Sequence, residues 1–109
     1  MTGLNVNALR HRVTLQAVSR ADDGGGGGTE SWADVADLWA SIRPSTGSES
    51  VEAGRITGKV SHVIGLRYRD DVAPAMRFAH ESRLFDILAV LDPGEDRRWL
   101  TCLCEEREL

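Results

Sequence analysis

The sequence predicts an all-β fold: a small antiparallel β-barrel or sandwich of about six strands, with a long loop between the second and third strands. Three observations carry this. Apolar and polar residues alternate at period two in several short runs, the mark of strands with one buried face. Turn signals such as ESR and DPGEDR separate those runs. No long helical stripe occurs. A length of 109 residues suits one domain, 1–109, built around one small core.

The first strand is HRVTLQAVS, His11 to Ser19, where Val13, Leu15 and Ala17 alternate with Arg12, Thr14 and Gln16. It runs into RADDGGGGGTES, whose five consecutive glycines, Gly24 to Gly28, have maximal backbone freedom and nothing to bury. Residues 20–31 therefore read as a flexible, glycine-rich hairpin tip. A nucleotide-binding loop would end in Gly-Lys-Ser/Thr and open a helix, and neither feature is present.

The second element is WADVADLWASIRP, residues 32–44. Trp32, Val35, Ala36 and Trp39 fit a helical stripe, whereas Leu38, Ala40 and Ile42 alternate as in a strand. The tryptophans and a break of alternation near Asp37 suit a bulged strand, but periodicity alone leaves both readings open. Pro44 ends the element in either case.

An unpatterned insert follows. Val51 and Ile56 are its only sizeable apolar residues, too few to hold it against a core. Thr46, Gly47, Ser48, Ser50, Gly54 and Gly58 favour mobility, and Ser45, Ala53 and Thr57 add little bulk. Glu49 and Glu52 against Arg55 and Lys59 leave it near neutral. SESVEAG has the composition for one or two helical turns, with Ser48 or Ser50 as cap. So long a segment in so small a domain is either functional or disordered.

Residues 59–69, KVSHVIGLRYR, form the clearest strand, with Val60, Ile64, Leu66 and Tyr68 on one face and Lys59, Ser61, Arg67 and Arg69 on the other. A turn-rich connection, RDDVAPAM, leads to two short strands, MRFAH and RLFDILAVL. After DPGEDR the last strand, RWLTCLCEE, carries apolar residues on both faces and is expected to be buried on both.

Composition narrows the functions. A formal net charge of −4 argues against gripping nucleic-acid phosphates, which needs clustered Lys and Arg. No apolar run approaches the roughly 20 residues that span a bilayer, and the N-terminus lacks the pattern of a secretory signal. The expectation is a chain with no membrane role that is intracellular at synthesis. His11, His62 and His80 are not spaced as a metal motif, so simple hydrogen bonding outweighs catalysis. Cys102 and Cys104 share a strand face, and two small buried residues outweigh a redox pair. The acidic pairs Asp22–Asp23, Asp70–Asp71 and Glu105–Glu106 read as solvated loop or tail charge. Arg67, Arg69, Arg77 and Arg83 are candidates for a basic patch. No catalytic residue, cofactor or metal site emerges.

Four segments in order, LRHRVTLQ (9–16), SWADVADLWASIRP (31–44), VSHVIGLRYRDDVAPAMRF (60–78) and LFDILAVLDPGEDRRWLTCLCEE (84–106), resemble the head–tail joining, or head-closure (stopper), proteins of long-tailed phages and phage-like gene transfer agents. The resemblance covers nearly the whole chain. It implies a β-barrel that assembles as a homo-oligomeric ring, sixfold or twelvefold, at the neck of the particle. The ring would lie below the portal-side adaptor protein and above the tail terminator and tail tube proteins. Double-stranded DNA would pass through its channel without sequence recognition. The long loop of such proteins faces that channel and gates it, which carries over here to Ser45–Gly58. A ring is a head-to-tail assembly and needs two different adhesive faces. Trp39, Arg67, Arg69, Trp99 and the 20–31 loop are the candidate contact residues, although for Trp39 a place in the core is the better expectation. The alternatives are another connector or tail-completion protein of the same neck, or a small nucleic-acid-binding β-barrel. The last would present exposed aromatics on a basic strand face.

Overall fold

The computed structural model describes residues 9–22, 28–46 and 59–107. They form six strands: β1 (His11–Asp22), β2 (Gly28–Pro44), β3 (His62–Arg67), β4 (Arg77–His80), β5 (Arg83–Leu91) and β6 (Trp99–Arg107). A single 3-10 turn, Pro93–Glu95, joins the last two. Every pairing is antiparallel, and the order β1-β2-β3-β6-β5-β4 closes on itself as a barrel. The expected all-β fold and strand number are therefore met, and 32–43 is strand throughout.

Alternation sets the core. Val13 and Leu15 of β1, Ile64 and Leu66 of β3, Phe85 and Ile87 of β5, and Leu100, Cys102 and Cys104 of β6 point inward and are buried. Phe78 and Phe85 lie directly opposite each other on β4 and β5, both fully buried. Leu15 faces Phe78 across the seam where β4 meets β1. That seam is short, since only Thr14, Leu15 and Gln16 pair with β4.

A second, smaller cluster lies on the outer side of β3 and β6, where Val60, Val63 and Leu103 are buried with Leu88 and Ala89 against them. It accounts for the two-sided apolar character of β6. It also corrects the reading of residues 59–69: the strand itself is only His62–Arg67, and Val63 is buried on the face assigned to polar residues.

Two bulges adjust the barrel. Leu15 pairs with Ala36 but Gln16 pairs with Asp34, so Val35 is an extra residue in β2. Ile87 pairs with Cys104 but Ala89 pairs with Leu103, so Leu88 is an extra residue in β5. The β2 bulge sits two residues before Asp37, the position where the sequence pattern breaks.

The region read as a flexible 20–31 loop is mostly strand. β1 runs to Asp22 and β2 begins at Gly28, so only 23–27 lie outside the described residues. β4 leaves β1 after Gln16 and β3 leaves β2 after Ala40, whereas β1 and β2 stay paired out to Asp22 and Gly28. The result is a two-stranded arm projecting from the barrel, in a molecule extending 52 Å in one direction and 28 and 27 Å in the others.

Candidate functional site

Register brings three of the expected contact residues into one row. On the outer wall, Arg12 of β1 pairs with Trp39 of β2, and Arg67 of β3 pairs with Trp99 of β6. Ala40 pairs with Leu66, which sets Trp39 and Arg67 side by side just beyond the last β2–β3 pair. Each guanidinium lies over a ring: Arg12 is 5.3 Å from the Trp39 centroid and Arg67 is 5.4 Å from that of Trp99. At exposed positions such contacts contribute roughly 0.5–1 kcal/mol each. Among the described residues, neither Arg12 nor Arg67 has a carboxylate partner.

Trp39 is 54% exposed, so its expected place in the core is overturned. The Val35 bulge explains this. Trp32 and Trp39 are seven residues apart, an odd spacing that would put them on opposite faces of a regular strand. The extra residue reverses the alternation between them, so both rings face outward. Trp99 is half-buried.

Where β2 and the chain after β3 diverge, a cleft of about 510 Å³ opens beside the row. Leu9, Leu38, Leu66 and Tyr68 give it an apolar floor, and Asp37, Trp39, Arg67 and Arg69 also line it. Arg69, the fourth expected contact residue, borders the cleft but is committed to Asp71 through two hydrogen bonds of 2.9 and 2.7 Å. That pair holds the Asp71 carboxyl below, and the Arg69 guanidinium above, its ordinary range.

The four arginines do not form the basic patch that the sequence suggested. Arg77 stacks 4.0 Å over Trp32 and donates to Gln16 Oε1, while Gln16 Nε2 donates to Asp34. Burial and the neighbouring Arg107 lower the affinity of Arg77 for its proton. Arg83 grips Glu106 with bonds of 2.9 and 3.0 Å. Glu105 and Glu106 lie at the end of β6, as the reading of RWLTCLCEE as the last strand expects.

That last pair belongs to a network at the stem of the long insert. Ser45 N–H donates to the Ser61 carbonyl and Ser61 N–H to the Cys104 carbonyl, each at 2.9 Å, so both ends of the insert meet at one end of the barrel. Ser61 Oγ accepts from Glu106 N–H at 2.7 Å and lies 3.0 Å from His62 Nδ1. Arg83 also donates to His62 Nε2 at 3.3 Å, which fixes the neutral tautomer with the proton on Nδ1. Burial is the main reason that His62 holds its proton less tightly than usual; Glu106 opposes the shift and Arg83 adds to it. Of the expected gating loop, Ser45 and Thr46 are described, and residues 47–58 lie outside the described residues. The insert stem and the Arg–Trp row occupy opposite ends of the β2–β3 ladder, five residues or about 16 Å apart.

Arg12 and Trp32 were absent from the sequence-level candidates, and Arg77 was expected in a basic patch rather than stacked on Trp32. Their partners lie across strands, so only strand register reveals them. The other chemistry-bearing groups are structural. Cys102 and Cys104 are buried in the core, with Cys104 Sγ donating to the Cys102 carbonyl, and burial pushes the Cys102 thiol up to about 12. His80 Nδ1–H donates to the Arg12 carbonyl at 3.0 Å, and its ring meets that of His11 edge-on. Among the described residues, no three His, Cys, Asp or Glu side chains converge as a metal site.

Comparison with known proteins gives this geometry a context. The sequence profile of the phage head completion proteins matches residues 4–107. The chain belongs to that family. Two solved structures share the fold at modest identity. One is the solution structure of a protein from Shigella flexneri 2a, 28% identical, with a TM-score of 0.72, covering 94% of this chain and 96% of that one. The other is a chain of the virion of a native gene transfer agent particle, 26% identical, with a TM-score of 0.67, covering 93% and 96%. No curated protein matches.

Proposed function

We propose that this chain is the head-closure protein of a phage-like particle. A ring of copies, sixfold or twelvefold, sits at the neck below the portal-side adaptor, closes the DNA-filled head and offers the platform on which the tail terminator and tail tube dock. Segment 45–58 gates the channel, and Trp39, Arg67, Arg69 and Trp99 belong to contact surfaces. The reading rests chiefly on the match to the head completion family over residues 4–107. The shared fold of a chain in a gene transfer agent virion supports it. So does the bonding of Ser45 to Ser61, which brings the two ends of the insert together at one end of the barrel. A near-neutral gate suits a conduit that must release DNA rather than hold its phosphates.

Deleting the gene and imaging the particles tests this. Emptied or leaking heads beside free, complete tails are expected, and normal tailed particles would overturn the reading. In particles complemented with a chain shortened within 47–57, DNA retention is expected to fall while tails still attach.

One observation favours a different class. Exposed Trp39 between two arginines is what a single-strand-binding barrel would present on its outer wall. The net charge of −4 counts against that reading. It requires salt-dependent binding of a single-stranded oligonucleotide that weakens in Trp39→Ala.

A further inference from the structure

The projecting arm and the Arg–Trp row have opposite characters. In residues 17–19 and 30–36 the arm and its base hold two carboxylates, Glu30 and Asp34, and no Lys or Arg, a net of −2. Val18 and Val35 are exposed there, at 37% and 42%. Asp34 is exposed and meets the Gln16 amide rather than a cation. Among the described residues, no further strand lies against Ala17–Ser19 or against Ser31–Trp39. The arm is thus an acidic, partly apolar ribbon with open edges, the form of element that joins another sheet.

The row is its complement: two guanidiniums without carboxylate partners among the described residues, two tryptophans, and beside them a cleft with an apolar floor. The arm cannot fill the cleft of its own chain. It springs from the base of that cleft, and the paired strands carry Asp34 about 16 Å and Gly28 about 36 Å away from Trp39. Complementary surfaces that cannot close within one chain close between copies, head to tail.

From this, we infer that the acidic β1–β2 arm of one copy docks on the Arg12–Trp39–Arg67–Trp99 row and cleft of the next copy. The inference rests on the ring reading above and specifies the two faces of the repeated contact. Val18 and Val35 supply apolar surface to the cleft, and the Asp34 carboxylate neutralises a guanidinium of the row. Burial of the Arg67 charge without that partner would be costly, which makes the contact selective for an acidic ribbon.

Charge reversal with rescue tests it, in particles complemented with the full chain after gene deletion. Arg67→Glu and Asp34→Arg should each lower the fraction of heads carrying tails by at least about tenfold, as loss of a desolvated ion pair predicts. Combining them on one chain should restore that fraction to within about threefold, since each contact then regains opposite charges. Both side chains are exposed, so melting curves should match the parent, and Arg12→Glu replaces Arg67→Glu if that variant fails to fold. A neutral single change would overturn the proposal. A defect in Arg67→Glu that Asp34→Arg does not relieve would overturn it too, assigning the row to a different neck protein or to nucleic acid. Both failures differ from failure of the ring reading, in which deletion itself leaves tailed particles unchanged.

Discussion

At the level of single residues, Cys102 and Cys104 illustrate what a sequence can disclose. Two small apolar residues at period two on a terminal strand fit a core, and the structure places both in it. Their chemistry follows from burial. Desolvation raises the Cys102 thiol from 9.0 to about 12, and Cys104 rises for the same reason, with Cys102 and Asp86 adding to it. A folded pKa above the unfolded one means that the thiols support the fold fully below pH 9, where both states are protonated. As pH climbs from 9 towards 12 the unfolded chain releases protons that the folded chain keeps, and stability is lost. Each thiol should contribute roughly 1 kcal/mol of that loss per pH unit. Urea unfolding at pH 8, 9 and 10 should show a falling midpoint, and the fall should shrink in Cys102→Ala. Ellman's reagent should react with neither thiol until the chain unfolds. Fast reaction in the native protein would mean the pair is exposed. Trp39 marks the opposite case. Its size suggests burial, but its face is decided by an extra residue four positions earlier and its stability by Arg12 on another strand.

Elements follow the same division. The alternation in His11–Ser19 reads directly as strand because Val13 and Leu15 keep one face in the core. The stretch 32–43 reads ambiguously because the Val35 bulge converts a two-residue period into something close to a helical one. The arm beyond Ala17 escapes notice because glycines and short polar residues carry no pattern, even though backbone pairing alone makes it a ribbon. The stem of the insert is another feature that only register exposes. His62 is neutral there, with Nε2 accepting from Arg83 and Nδ1 directed at Ser61. A histidine with a lowered folded pKa lends stability above its unfolded value of 6.5, and that stability is lost as pH falls through the folded value. Glu106, held low by Arg83, behaves likewise below 4.5. The unfolding midpoint should therefore drop between pH 7 and pH 5, before most carboxylates titrate, and His62→Gln should flatten that segment of the curve. Parallel curves for parent and variant would remove His62 as the cause. Amides of Ser45 and Ser61 should show lower protection factors at pH 5 than at pH 7, because the stem loosens with its anchor.

On the scale of the whole molecule, closure of the barrel concentrates its weakness in one place. β1 and β2 share twelve paired positions and β3 and β6 share six, but β4 contributes only four residues and meets β1 at three. What holds this seam is less its hydrogen bonds than the packing of Phe78, which is fully buried against Leu15 across one pairing and Phe85 across the other. Removing a buried phenylalanine ring costs about 3–5 kcal/mol, a large share of the 5–15 kcal/mol that stabilises a domain of this size. Phe78→Ala should lower the unfolding free energy by that amount. The way it fails should also be specific. Amide exchange should accelerate first at Thr14, Gln16 and residues 77–80, while Ile64 and Cys102, on the longer β3–β6 ladder, remain protected. Uniform acceleration across all six strands would mean that the barrel opens only as a unit, with no weaker seam. A seam that opens locally would free Arg77 from Trp32 and Gln16 at the base of the arm. It would leave intact the strand pairing beneath the arm, the Arg–Trp row and the insert stem, which rests on the β1–β2, β2–β3–β6 and β5–β6 ladders. The surfaces assigned to assembly would then stand on the more stable part of the barrel, and the variant should still join particles below its melting temperature.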